Sequence, residues 1–241
     1  MKPRIIGHRG AAGTHPENTL SAINEAIRLG LHWVEVDIQM TADKVLIVCH
    51  DFTVDRCSNG QGRVDSLTLE ALRRLDFGRW FHQDFKNEPL LTLEMLLSLG
   101  KRHRLRLNLE LKTDQTDNQI FIDLVSQQLA QSTMDPAQIL LSSFDHDLIE
   151  AIGQRCPQFR RGLISDHFNE TLLNRLEQVG AFSCHLNYSH LDNVALKQLQ
   201  DHGYEVWCYT VNNADDFPLL KEVDAIFTDY PATFINTNLP T

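Results

Sequence analysis

Short apolar runs alternate with longer amphipathic stretches along nearly the whole chain. The first run, Arg4-Ile5-Ile6-Gly7, reads as a strand that ends in a glycine. Pro16-Glu17-Asn18-Thr19 then has the chemistry of a helix start, and Leu20, Ile23, Ala26, Ile27 and Leu29 supply the apolar stripe that Gly30 closes. Residues 33–40 predict a second strand and 45–49 an extended apolar continuation. A helix is expected near 92–99, ending at Gly100. Strands then follow at 105–111, 138–142, 160–164, 182–186, 205–211 and 225–228. Helices are expected between them at 117–129, 145–154, 170–178, 192–201 and 214–220, with a short last helix from Pro231. This β-α alternation predicts a parallel sheet with helices outside it. About eight strands fit a closed (β/α)₈, or TIM, barrel better than an open sheet, and the glycine-rich dinucleotide fingerprint is absent. One barrel domain over residues 1–241 is the expectation.

Residues 51–91 break the rhythm. The segment is too long for a simple connection. It carries the turn sequence Ser58-Asn59-Gly60-Gln61-Gly62, a short helical patch near 67–75 and the aromatics Phe77, Trp80, Phe81 and Phe85. It reads as a small insertion over the C-terminal face of the barrel, either a wall or lid of a pocket or a packing cap.

Net charge changes the picture next. With 22 basic and 32 acidic residues the chain carries −10, which argues against nucleic acid as a partner. An anionic substrate therefore needs local positive charge, from a few side chains or a metal. No stretch resembles a signal peptide or approaches the roughly 18 apolar residues of a membrane anchor. Cys49, Cys57, Cys156, Cys184 and Cys208 are odd in number, widely spaced and free of any C-x-x-C pattern. A reducing, cytoplasmic setting without a cysteine zinc site is expected. A homo-oligomer is compatible with the sequence, but no interface is legible.

The candidate chemistry gathers at strand ends. Gly7-His8-Arg9-Gly10 presents an imidazole beside a guanidinium, a pair suited to an anion with a proton to move. Glu35 and Asp37 alternate within an apolar strand, so they share one face. Either that face is solvated, or the two carboxylates hold a cation, for which oxygen ligands favour Mg²⁺ or Ca²⁺. In 105–111 leucines alternate with polar residues. That is the pattern of a half-exposed antiparallel strand, or, in a barrel, of leucines facing helices with Asn108, Glu110 and Lys112 turned inward. His50-Asp51 follows the apolar run 45–49, and a second histidine there would let two imidazoles divide acid and base roles. The other nine histidines read as solvated. G-x-S-x-G, H-E-x-x-H and G-x-x-x-x-G-K-[ST] are all absent.

Taken in order, Gly7-His8-Arg9-Gly10, Pro16-Glu17-Asn18-Thr19, Glu35-Val36-Asp37, His50-Asp51, Glu110-Leu111-Lys112, Tyr209-Thr210-Val211-Asn212 and Thr228-Asp229-Tyr230-Pro231 form a set. The set resembles the glycerophosphodiester phosphodiesterase family in its bacterial cytosolic form, from Ile5 to Pro231. The resemblance implies a (β/α)₈ barrel with a small insertion after the second strand. It implies metal-dependent hydrolysis of glycerophosphodiesters, such as glycerophosphocholine or glycerophosphoethanolamine, to sn-glycerol 3-phosphate and an alcohol through a cyclic phosphate. By position, Glu35, Asp37 and Glu110 would hold Mg²⁺ or Ca²⁺. His8 and His50 would be the acid–base pair, Arg9 and Lys112 would hold phosphate, and Glu17 would support the site near His8. The family usually has Trp where Tyr209 stands. Trp207 lies two residues earlier on the same face, so the pocket wall, and with it the head-group preference, is where this chain departs. A phospholipase-like enzyme acting on lipid, and a binding protein without turnover, are the competing readings.

Overall fold

The computed structural model describes residues 3–235. Its strands are β1 (Arg4–Gly7), β2 (Trp33–Met40), β3 (Leu46–Val48), β4 (Arg106–Leu111), β5 (Ile139–Ser143), β6 (Arg160–Ser165), β7 (Ser183–Asn187), β8 (Glu205–Tyr209) and β9 (Ala225–Thr228). Its helices are α1 (Leu20–Arg28), α2 (Leu69–Leu72), α3 (Leu93–His103), α4 (Asn118–Gln131), α5 (His146–Arg155), α6 (Glu170–Gln178), α7 (Asn193–Asp201) and α8 (Pro231–Ile235). The parallel strands run in the order β1-β9-β8-β7-β6-β5-β4-β2, and pairing of β1 with β2 closes them into an eight-stranded barrel. The expected TIM barrel is therefore the fold. β3 is the exception: it lies antiparallel on the far end of β2, with Ile38 opposite Val48.

All eight residues of β2 are buried, as a strand covered on both faces requires. In β4 the leucines Leu107, Leu109 and Leu111 join the helix-side core with α3, α4 and α5, so Asn108 and Glu110 point inward. Seven helices begin at a Thr, Asp or Asn whose side chain accepts a backbone N–H of the first turn: Thr19, Thr68, Thr92, Asp117, Asp145, Asn169 and Asp192. Each cap is worth about 1 kcal/mol. Most follow closely on a strand end, so strand C-termini, connecting loops and helix N-termini gather on one face. That face is where this fold builds its sites.

Two elements differ from expectation. α3 runs through Gly100 to His103, and Arg104 takes the left-handed turn with φ 55°. Gly100 serves close packing instead, since a Cβ there would stand 3.1 Å from the Met134 side chain. Residues 214–220 hold only the 3₁₀ turn Ala214–Asp216; Pro218 has no N–H to continue a helix. Within 51–91, α2 and the 3₁₀ turn Val64–Ser66 contribute to a separate small core of Ile47, Cys49, Val54, Val64, Leu72, Phe77 and Leu90. Among the described residues no helix is long and apolar enough to cross a membrane.

Candidate active site

The first βα turn is built by its glycines. A Cβ on Gly7 would meet the Gly10 carbonyl at 2.4 Å, and one on Gly10 (φ +87°) would meet the Ala22 backbone at 2.7 Å. Only glycine lets this turn fold so tightly against α1. His8 is aimed from it, with its backbone N–H bonded to the Thr228 carbonyl at 2.9 Å. Its Nδ1 lies 2.6 Å from Asp229 Oδ1, and its Nε2 stands free at 3.9 Å from Glu35 Oε2. Asn212 fixes Asp229 in turn, donating from Nδ2 to Oδ2 at 2.7 Å and accepting the Asp229 N–H at 2.8 Å.

His50 is arranged the same way. Its Nδ1 lies 2.7 Å from Asp51 Oδ1. Gln39 Nε2 reaches the carbonyls of Cys49, His50 and Asp51 at 2.8, 3.1 and 2.7 Å, which pins this stretch to the barrel. Arg56 joins the two halves of the site: it donates to Asp51 Oδ2 at 2.7 Å and to both Glu17 oxygens at 2.7 and 2.8 Å. Glu17 also accepts from Arg9 Nη1 at 2.7 Å, so it ties the residue next to His8 to Arg56.

Between the imidazoles sit three carboxylates. One oxygen from each of Glu35, Asp37 and Glu110 lies within 4.8 Å of the others. Glu35 and Asp37 are buried, Glu110 partly so. Asn18 donates to Asp37 Oδ2 at 2.8 Å, while Lys112 Nζ stands 3.4 Å from both Asp37 and Glu110. Burial, then the neighbouring Asp37 and Glu110 charges, push the Glu35 carboxyl well above its usual range. Burial and Asp37 push Glu110 up to about 7. For Asp37 burial also acts upward, but Arg9, Lys112 and His50 outweigh it and hold the group below its ordinary value.

These residues fit a hard divalent cation. Glu35 Oε1 is buried with no hydrogen-bond partner, an arrangement that costs free energy unless something positive meets it. Oxygen donors alone suit Mg²⁺ or Ca²⁺. A cation entering the cluster competes with the protons on Glu35 and Glu110. Affinity for Mg²⁺ or Ca²⁺ should therefore rise with pH, one part of the slope coming from the Glu110 proton near pH 7, measured by calorimetric titration. Glu110→Gln should lose that part of the slope; an unchanged slope would remove Glu110 from the cluster. The metal-free chain has the opposite trend at this group. Its raised value adds stability below the ordinary carboxylate range, and that contribution is lost as pH rises through about 7.

The cleft over this cluster encloses about 170 Å³ and is lined by His8, His50, Glu35, Glu110, Phe144 and Tyr209, among others. Tyr209 is on its wall. Trp207 is not: it is fully buried deeper in the barrel, edge-on to Trp33 at 5.3 Å, with Nε1 donating to Glu205 at 2.9 Å. It acts as interior packing. His185, read from sequence as solvated, is buried too, stacked on Trp207 at 4.8 Å and bonded to Ser183 Oγ at 2.8 Å. Burial lowers its pKa to about 3, so it stays neutral. Asp229, Asn212, Asp51 and Arg56 carried no separate role in the sequence reading. The first three do fall inside the quoted motifs.

The model of the glycerophosphoryl diester phosphodiesterase family matches residues 8–233. YhdW of Bacillus subtilis is 31% identical over 232 residues, 94% of each chain. A glycerophosphodiester phosphodiesterase of Caldanaerobacter subterraneus subsp. tengcongensis is 30% identical over 241 residues, 98% of each chain. Among solved structures, an Oleispira antarctica phosphodiesterase in complex with the product sn-glycerol-3-phosphate superposes with a TM-score of 0.93 at 28% identity, covering 98% of this chain and 96% of that one. The chain belongs to the glycerophosphoryl diester phosphodiesterase family and is a phosphoric diester hydrolase.

Proposed function

We propose that this protein hydrolyses glycerophosphodiesters to sn-glycerol 3-phosphate and an alcohol, with His8 and His50 as the acid–base pair. The observation that carries this reading is the matched pair of imidazoles. Each is held at Nδ1 by a carboxylate, Asp229 or Asp51, and both border the cleft that contains the acidic trio. A carboxylate at Nδ1 fixes the tautomer and stabilises the imidazolium that forms when the other nitrogen takes a proton.

A divalent cation, Mg²⁺ or Ca²⁺, held by Glu35, Asp37 and Glu110 would supply positive charge that acidifies the substrate's 2-hydroxyl and offsets charge on the phosphoryl oxygens. One imidazole takes the 2-hydroxyl proton as that oxygen bonds to phosphorus. The other gives its proton to the departing alcohol oxygen as the P–O bond breaks. The product of this step is a five-membered cyclic phosphate. Water then opens the ring with the roles reversed: its proton goes to the imidazole that acted as acid, and the 2-oxygen recovers its own. Arg9 and Lys112 offer the fixed cations that meet the growing negative charge. Both line up beside the carboxylate cluster, Arg9 with its Nε 3.5 Å from Asp37.

The five cysteines are buried free thiols, which supports the expected cytoplasmic setting. The test is release of glycerol 3-phosphate from glycerophosphocholine in a coupled assay, with added Mg²⁺ or Ca²⁺ and then with EDTA. Release that EDTA stops and metal restores is the expected result. Absence of release across several glycerophosphodiesters and metals would overturn the reading.

A further inference from the structure

His8 and His50 each lean on a carboxylate, and each carboxylate needs a partner of its own to keep its direction. For Asp229 the barrel supplies one: Asn212, shortly after β8, donates to Oδ2 at 2.7 Å. For Asp51 the partner comes from the insertion. Among the described residues the Asp51 carboxylate bonds to His50 and to Arg56.

Arg56 meets Asp51 with one edge of its guanidinium, Nε donating to Oδ2 at 2.7 Å and Nη2 to Oδ1 at 3.0 Å. The other edge meets Glu17, Nη1 donating to Oε2 at 2.7 Å and Nη2 to Oε1 at 2.8 Å. Two forked contacts in one plane fix the rotation of both carboxylates, which a lysine ammonium cannot do. Glu17 is the firmer anchor, its side chain 11% exposed against 30% for Asp51. It is held from its other side by Arg9. The backbone that carries Arg56 is also fixed. Val54 and Cys57 on either side are buried, and Ser58 Oγ donates to the Val54 carbonyl at 2.7 Å. The Trp80 ring lies 6.0 Å from the guanidinium carbon.

We propose that Arg56 is a positioning residue for the reaction: it clamps Asp51 against Glu17, and Asp51 in turn holds the His50 imidazole with Nε2 left for the substrate. The inference rests on the reading of His50 above and gives residues 51–91 a part in catalysis beyond packing. Arg56 touches no reacting atom. It acts through the direction of Asp51, and so through the tautomer and aim of His50. A carboxylate free to rotate holds Nδ1–H for less of the time, and the share of His50 with a bare, aimed Nε2 falls with it.

The test is carried out on the metal-loaded enzyme with glycerophosphocholine. Arg56→Ala should lower kcat by about 10–100-fold with KM little changed. The side chain is 43% exposed, so Tm should stay close to that of wild type. Arg56→Lys keeps the charge without the fork and should recover only part of the loss. Guanidinium ion at low concentration should recover part of it in Arg56→Ala. Added to Asp51→Ala, the Arg56→Ala change should cost little more, because the two residues act as one unit, and guanidinium should then recover nothing. A second readout needs no turnover: ¹⁵N NMR of His50 should show the Nδ1–H tautomer in wild type and a mixture in Arg56→Ala. Unchanged kcat in Arg56→Ala would overturn the clamp, as would losses that multiply in the double variant, or a loss that follows a fallen Tm with the His50 tautomer unchanged. No turnover in wild type defeats the hydrolase reading instead, and the tautomer comparison then decides the clamp by itself.

Discussion

His8→Ala should lower kcat/KM on a glycerophosphodiester by about 10²–10⁴-fold, and His50→Ala by a similar factor. Both imidazoles reach the same cleft. The two losses should differ in kind. Burial, with Arg9 and Lys112, holds His50 below the ordinary histidine range despite the opposing pull of Asp37 and Asp51. At neutral pH His50 is therefore unprotonated, the state a base needs. On the proposed mechanism His50 would then take the 2-hydroxyl proton in the first step, and His8, backed by Asp229, would protonate the leaving alcohol. A substrate with a nitrophenol leaving group needs no such protonation. It should recover much of the rate in His8→Ala and little in His50→Ala. Recovery in the opposite variant would exchange the roles, and near-normal activity in both would remove both residues from the chemistry.

What the sequence makes legible is whatever local pattern encodes. Alternation within apolar strands is enough to put Glu35 beside Asp37, and to turn Asn108 and Glu110 inward once the leucines of β4 face the helices. The same alternation applies to His185, which shares a face with Ser183 in β7 and packs inside the barrel. Treating every histidine outside the two motifs as solvated overrode that signal. Trp207 is the related case. Its face follows from alternation, but depth along the barrel axis follows from strand stagger, which a single strand does not reveal. The helix end at Gly100 failed because a glycine can mark close packing as well as a terminus. Long-range pairs are the least legible. The His8–Asp229 pair spans 221 positions and the Arg56–Glu17 pair 39. Only the closed barrel brings them together.

Glu35→Gln should abolish metal-supported turnover, a loss of at least about 10²-fold, without destabilising the metal-free protein. The two halves of that expectation have one cause. Three carboxylates in a buried cluster repel, by about 4 kcal/mol for two full charges 4 Å apart at an effective dielectric of 20. The metal-free chain relieves this by keeping protons on Glu35 and Glu110, whose pKa values burial and their neighbours raise. A glutamine matches the shape of protonated Glu35 and can still accept the Arg9 N–H that now bonds Oε2 at 3.0 Å. Its cost in the metal-free fold is therefore small, and it should become stabilising at a pH high enough to ionise Glu35 itself. What glutamine lacks is the negative charge that draws in a divalent cation. Thermal unfolding with and without Mg²⁺ or Ca²⁺ reads this directly. Wild type should gain several degrees on adding metal, and the variant should gain little. If instead Glu35→Gln melts well below wild type in EDTA, Glu35 is a structural anchor for the Arg9 turn. If wild type turns over at full rate in EDTA with no metal-dependent shift in Tm, the three carboxylates serve some end other than a cation.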